Sequence, residues 1–292
     1  MTVQAWALVE NGHVAKAHDA RLVAPWWSFT KTVLAAAALA LVRDGLIALD
    51  EPIRHRPYSL RHLLQHRSGL VNYGLLLAYH EAVERGDDPW PVSTLLERLD
   101  GDRLRYPVGA GWEYSNIGYL VVGQVIEVLT GEDLGTALKR LVLRPLGIET
   151  ARLARERADL DHVSMGSAQD YHPGWVYHGL LVGSVEDAAL LLDRLMAGDL
   201  LPPALRRDML TSFALPGPIH GRPWTAPGYG LGLMIGETTG GLMVAGHTGG
   251  GPGSTIAVYR DLNKGSNQTA AFFATSEDQT PTEEGALALL RG

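Results

Sequence analysis

Cysteine is absent from the 292 residues, which excludes disulfides, thiolate metal sites and cysteine nucleophiles. Covalent chemistry would have to use serine, threonine, lysine, a carboxylate, histidine or tyrosine. Basic runs are missing as well. The formal net charge is −7 and no cluster of lysine or arginine exceeds a pair, so there is no electrostatic footprint for a nucleic-acid backbone or an anionic membrane. The apolar stretch 33–42 is too short to span a bilayer and reads as a buried helix. The opening MTVQAWALVENGHVAKAH lacks a basic segment followed by an apolar core and a small-residue cleavage site, so a cytoplasmic protein is expected. Lysine itself is scarce, with only Lys16, Lys31, Lys139 and Lys264 beside 21 arginines.

What is present is an ordinary globular composition, 46% hydrophobic and 20% charged, in a chain long enough for a large core. VQAWALV and VAKAH flank the turn ENGH and predict a hairpin. A helix is expected to open near Ser28 and run to about Asp44, where Gly45 stops it. From Ser59 to about Leu143 the apolar spacing is helical, in SLRHLLQH, LLLAYHEAVERG, PVSTLLERL, NIGYLVVGQVIEVLTG and DLGTALKRLVL, and VEDAALLLDRLMAG adds another helix. YGLGLMIG, GLMVAGH, STIAVYRD and QTAAFFATS then read as strands. ALPGPIHGRPWTAPGYG reads as a long surface loop at the rim of a cleft. A last helix is expected at TPTE, with Thr280 as cap, Pro281 in the first position and Glu283 closing a capping box. The pattern predicts an α+β fold: an antiparallel sheet built from both chain ends, flanked by helices, with an inserted helical lobe and a cleft between the two. The expected organisation is a single catalytic domain over 1–292, with a sheet-containing lobe at 1–50 and 180–292 and a mostly helical lobe at 51–179.

Three motifs carry chemistry. In SFTK, Ser28 and Lys31 share a helix face, so the amine can lie beside the hydroxyl. A helix N-terminus favours an oxyanion there, and burial would leave the lysine neutral and able to accept a proton. The plainer alternative makes Ser28 a cap and Lys31 a lysine that reaches to water. With 12 serines and four lysines, chance supplies such a pair about once in six chains of this length. The second motif is YSN, where Tyr114 can relay protons and the Asn116 amide can orient a lysine or a substrate amide. Its alternative is a helix cap at Asn116 and a core tyrosine. The third is HTGG, where His247, Thr248, Gly249 and Gly250 offer small residues and amides that another chain or a ligand can approach, or simply form a bulge or turn.

In their order along the chain, SFTK, YSN and HTG resemble the S-x-x-K, Y-x-N and K/H-T-G motifs of the serine beta-lactamase and penicillin-binding protein superfamily. The similarity is to its class C-like branch of D-Ala-D-Ala carboxypeptidases, D-aminopeptidases, family VIII esterases and some acyltransferases. LRHLLQHRSGL, YPVGAGWEYSNIGYLVVGQVIEVLTG, RPLGI and GLLVGSVEDAALLL are similar to stretches of the same family, so the resemblance covers most of the chain. It implies the beta-lactamase/transpeptidase-like fold and a serine hydrolase that works through an acyl-enzyme on a small ester or amide, with no cofactor. Ser28 would be the nucleophile, Lys31 and Tyr114 would share the acid and base roles, and Asn116 would hold lysine and substrate. His247, Thr248 and Gly249 would line the opposite wall, and the amides of Ser28 and Gly250 would form the oxyanion hole.

The third motif has His247 where the antibiotic-degrading enzymes have lysine, so a permanent cation for a substrate carboxylate is missing from that position. LDEPIRHRPYSLRHLLQH is also shorter than usual in the family. Trp26, Trp27, Trp112 and Trp175 are candidates for the wall of an acyl pocket, with Trp112 favoured as core. Tyr171, His172, Trp175 and Tyr177 in DYHPGWVYHG form a candidate cleft-side loop. His62 and His66 have a zinc-compatible spacing but no third ligand, so no metal site is assigned and a packing role is expected for His66. The competing reading of the whole chain is a binding or sensor protein on the same fold, slowly acylated or not at all, or an acyltransferase. The sequence carries no signal of oligomeric state.

Overall fold

Asn11 and Gly12 adopt φ of 51° and 83°, the left-handed pair that a tight two-residue hairpin turn needs. They join β1 (Gln4–Glu10) to β2 (His13–His18). The computed structural model describes residues 2–101 and 103–292. The chain continues through β3 (Val23–Pro25), a 3-10 turn at Trp27–Phe29 and α1 (Thr30–Arg43). The helical segment holds α2 (Leu60–Leu64), α3 (Leu77–Glu84), α4 (Val92–Leu99), α5 (Asn116–Thr130) and α6 (Leu134–Leu138), which runs on into a π-turn at Lys139–Leu143. After β4 (Arg152–Ala154) and β5 (Leu180–Ser184) come α7 (Val185–Ala197) and α8 (Pro203–Leu210). The chain ends in β6 (Phe213–Ala214), β7 (Trp224–Tyr229), β8 (Met234–Thr238), β9 (Met243–Gly251), β10 (Ser254–Asp261), β11 (Gln268–Ala274) and α9 (Gln279–Arg291).

Eight strands form one sheet in the order β2-β1-β11-β10-β9-β8-β7-β6, with every adjacent pair antiparallel. The N-terminal hairpin therefore closes onto the C-terminal strands. Alternation along β10 sorts its side chains between two cores. Ile256 and Val258 join the cluster around α1 and α7, while Ala257 and Tyr259 pack with Leu287 and Leu290 of α9. Full burial of Ile256 or Val258 stabilises the fold by about 1.5–3 kcal/mol each. A second sheet, β3-β5-β4, lies apart from the first.

Helix α1 is alanine-rich and buried on every side from Thr30 to Leu41, as expected of a helix without a polar stripe. Gly45, at φ 74°, lets the chain leave it in the left-handed conformation. Gly232 is required for close packing: a Cβ there would lie 2.4 Å from Ala35 Cβ and 3.0 Å from Lys31 O.

Three local expectations are corrected. The 214–230 stretch does border the cleft, but its C-terminal part is strand β7, which pairs with β8 in full register from Ala226 to Tyr229. At the last helix the cap is Asp278, which accepts from Thr280 N–H at 3.0 Å, and Glu283 turns inward to the sheet instead of closing a capping box. At α5 the cap is Ser115, whose Oγ accepts from Gly118 N–H at 3.0 Å and donates to Val71 O, so Asn116 is the first helical residue.

Candidate active site

Ser28 is carried on the 3-10 turn, and α1 begins two residues later, at Thr30. The turn is entered through Trp27 at φ 42°, a left-handed conformation that costs a bulky residue on the order of 1–3 kcal/mol unless its surroundings enforce it. Here they do: Trp27 Nε1 donates to Ser254 Oγ at 3.1 Å, and the ring meets Tyr171 edge-on at 5.5 Å. The glycines of β9 make room on the other side. A Cβ on Gly249 would fall 2.5 Å from Trp26 O and 2.9 Å from Ser28 N, and one on Gly251 would fall 2.6 Å from the Trp27 ring. Strand β9 is thereby pressed against the turn that presents Ser28.

Lys31 lies one helical turn beyond, fully buried, with Nζ 3.2 Å from Ser28 Oγ. The Tyr114 hydroxyl donates to the same Oγ at 2.9 Å. Among the described residues Lys31 has no carboxylate partner. Its other close contact is His178 Nε2 at 2.9 Å, and Nζ stands 5.0 Å over the Tyr114 ring and 5.7 Å over Tyr119. Burial therefore drives Lys31 well below the ordinary lysine range, and burial drives Tyr114 above the ordinary phenol range, only partly offset by its bond to Ser28. Both shifts favour the neutral form, an amine beside a phenol. His66 supports this floor. Its ring lies 4.3 Å from that of Tyr114, its Nδ1 accepts Ser115 N–H at 3.0 Å, and burial keeps it well below the usual histidine range.

The opposite wall is β9. Nδ1–H of His247 donates to Thr248 O at 2.7 Å, and Nε2 faces the Tyr229 hydroxyl at 2.9 Å. Burial above all lowers His247 to about 3, so it supplies no cation. The cation on this wall is Arg222, whose Nη2 approaches Thr248 Oγ1 at 3.4 Å. Arg222 Nε donates to Glu283 Oε2 at 2.9 Å and its Nη2 donates to Oε1; the same Oε1 receives Trp224 Nε1 at 3.1 Å, Thr248 Oγ1 at 2.5 Å and Tyr259 OH at 2.7 Å. Burial pushes Glu283 up, but these donors outweigh it and hold the carboxyl below its ordinary value. Burial likewise works against Arg222, and Glu283 more than restores its charge.

Between the walls lies a cleft of 380 Å³ lined by Ser28, Tyr114, Asn116, His247, Thr248 and Gly250 together with Trp112, Arg222 and Gln279. Asn116 donates from Nδ2 to Asn72 Oδ1 at 2.9 Å, while its own Oδ1 is buried with no partner. It makes no hydrogen bond to Lys31; the position expected of it is taken by His178. Trp27 packs beneath the turn rather than in the cleft, and Trp112 lines the cleft rather than the core. Trp175 is 1% exposed, packs between Tyr79 and Trp90, and donates to Asp87 O, so the 171–177 loop carries its tryptophan into a separate core. Sequence reasoning missed His178 because 147 residues separate it from Lys31, and missed Arg222 and Glu283 because each looked like ordinary surface or capping chemistry. His62 completes a capping box with Ser59, and among the described residues no group of three or more His, Asp or Glu is placed to hold a metal ion.

Comparison with known proteins follows the same lines. Esterase EstB of Burkholderia gladioli is 34% identical over 144 residues, 41% of this chain and 36% of that protein. A D-aminopeptidase of Brucella anthropi is 30% identical over 211 residues, 70% of this chain and 40% of that protein. The chain thus spans well under half the length of these curated relatives. The solved D-amino acid amidase of Ochrobactrum anthropi SV3 superposes with a TM-score of 0.82 at 21% identity, covering 98% of this chain and 91% of the other, which establishes the shared fold. The Beta-lactamase family pattern matches residues 2–291. From its first strand to its last helix, the chain belongs to the beta-lactamase family.

Proposed function

We propose that this chain is a serine hydrolase that cleaves a small ester or amide through an acyl-enzyme on Ser28. The observation that carries this reading is the set of contacts at Ser28 Oγ, within 3.2 Å of a buried amine without a carboxylate and 2.9 Å of a buried phenol. Ser28 Oγ–H passes its proton to Lys31 Nζ as Oγ bonds to the substrate carbonyl carbon, and the carbonyl oxygen takes the displaced electron pair. The amides of Ser28 and Gly250 receive that oxyanion. Collapse of the tetrahedral adduct breaks the bond to the leaving group, which leaves with a proton from the Lys31 ammonium, with Tyr114 as the neighbouring donor. Water repeats the sequence on the acyl-enzyme and frees Ser28.

In this reading the whole chain works as one catalytic domain. The sheet lobe supplies Ser28, Lys31 and the β9 wall, and the helical lobe supplies Tyr114 and Asn116. Buried Asn116 Oδ1 is suited to accept an N–H of an amide substrate, while Trp112, Leu215, Ile219 and Met234 give the cleft an apolar side. The chain's similarity to an esterase and a D-aminopeptidase supports the ester or amide class. No helix among the described residues is long and apolar enough to cross a membrane.

The test is p-nitrophenyl butyrate hydrolysis by wild type and Ser28→Ala. Wild-type turnover that falls to background in a folded Ser28→Ala variant is the expected result. Equal turnover in the two proteins refutes the assignment of the nucleophile. Absence of both turnover and adduct across esters, lactams and D-amino-acid amides would favour a binding protein on this fold.

A further inference from the structure

We propose that His178 is a positioning residue for Lys31, its Nε2 holding the lysine amine so that the remaining lone pair faces Ser28 Oγ. The inference rests on the hydrolase reading above and adds a residue to it. A neutral amine has two N–H bonds and one lone pair, and free rotation about the terminal bond would leave the lone pair aimed at Ser28 only part of the time. An acceptor on the far side removes that freedom. His178 Nε2 lies 2.9 Å from Lys31 Nζ, whereas Asn116 spends its amide on Asn72 and contacts the lysine nowhere.

The imidazole is itself fixed in place. It is 4% exposed, and its Nδ1 faces the Tyr73 hydroxyl at 3.5 Å. The tautomer with hydrogen on Nδ1 leaves Nε2 as the acceptor that the amine requires. The other titratable groups facing the pair are His66 at the end of α2, Tyr114 and Tyr119 on α5 and its approach, and His247 on β9. Burial holds His178 well below the usual histidine range, which keeps it an acceptor. His178 is the first residue after the 171–177 loop and stands just before β5, so packing of that loop sets the lysine's orientation.

The test compares His178→Gln, which keeps an acceptor near the Nε2 position, with His178→Leu, which fills similar space without one. Acylation by p-nitrophenyl butyrate is followed across pH, with thermal unfolding as a control for folding. His178→Leu should acylate roughly 100-fold more slowly, as a mis-set reacting group does, and His178→Gln should recover at least about a tenth of the wild-type rate. An acceptor stabilises the ammonium more than the amine, so its loss lowers the Lys31 pKa. The acidic limb of the rate profile should accordingly move to lower pH in His178→Leu and stay near wild type in His178→Gln.

Because the chain has only four lysines, lysine-selective isotope labelling reads the Lys31 titration by NMR without any turnover. A lower Lys31 midpoint in His178→Leu than in His178→Gln supports the pair. Equal midpoints and unmoved limbs in two folded variants would overturn it. If Lys31 shifts as expected while Ser28 is acylated in none of the proteins, the pair stands and the hydrolase reading falls.

Discussion

Lys31 and Arg222 are both drawn out of water beside one cleft, and the protein treats the two cations in opposite ways. Lys31 is given a serine, a histidine and aromatic faces, with no carboxylate within reach among the described residues, and burial lowers its pKa. Arg222 is given Glu283, itself fed by Trp224, Thr248 and Tyr259, and the pair keeps both charges. The lysine site is thus arranged to hold a neutral amine, whereas the arginine site is arranged to stay ionised. A guanidinium suits the second task, since it does not deprotonate in proteins and meets a carboxylate with two N–H groups.

Exchanging the properties of the two sites should break the contrast. Lys31→Arg leaves a permanent cation beside Ser28 and removes the base; kcat/KM for p-nitrophenyl butyrate should fall by about 1,000-fold or more. Retained activity would mean that Lys31 is not the base. On the other side, Glu283→Gln strands the Arg222 charge. Breaking a buried pair costs about 3–5 kcal/mol, and because the Arg222 side chain is 25% exposed a loss of about 2–3 kcal/mol is expected in urea unfolding. An unchanged midpoint would show that the network contributes little.

For each histidine and each pH unit, the effect on the acid limb of stability is smaller. His66, His178 and His247 are held neutral in the folded state with pKa values below the unfolded value. The unfolded chain therefore binds more protons, and stability should fall as pH drops from about 6.5 toward 3, by at most about 1.4 kcal/mol per pH unit for each histidine. His178→Gln should flatten that slope; an identical slope would show that His178 is not neutral in the folded protein. The smallest expected change is Asn116→Ala, about tenfold in kcat/KM for an amide with little change for an ester, as fits loss of one acceptor for a substrate N–H. Equal losses for both substrates would place Asn116 in a structural role.

Much of this arrangement was legible in the sequence, and the limits were physical. β-rich runs separated by turn residues exposed the strands at both chain ends, and a helix as apolar as 33–42 had to be buried. The serine–lysine pair could be read because i and i+3 are neighbours on any helical turn, even though that turn proved to be 3-10. His178 could not be read in the same way, since nothing local ties it to Lys31. The four-tryptophan reading divided for a related reason: Trp27 sits beside Ser28 in the chain but points under it, while Trp112 reaches the cleft from the loop before α5. Glu283 fitted a capping box by spacing, and only the sheet packed against α9 shows that its carboxylate belongs to Arg222.

The most direct test is to quench the wild-type reaction with p-nitrophenyl butyrate within seconds and locate the acyl group by peptide mapping. A butyryl group is expected on the peptide containing Ser28, absent in Ser28→Ala and formed more slowly in Lys31→Arg. Turnover that continues with no acyl group on that peptide, or an adduct on another side chain that persists in Ser28→Ala, would contradict it.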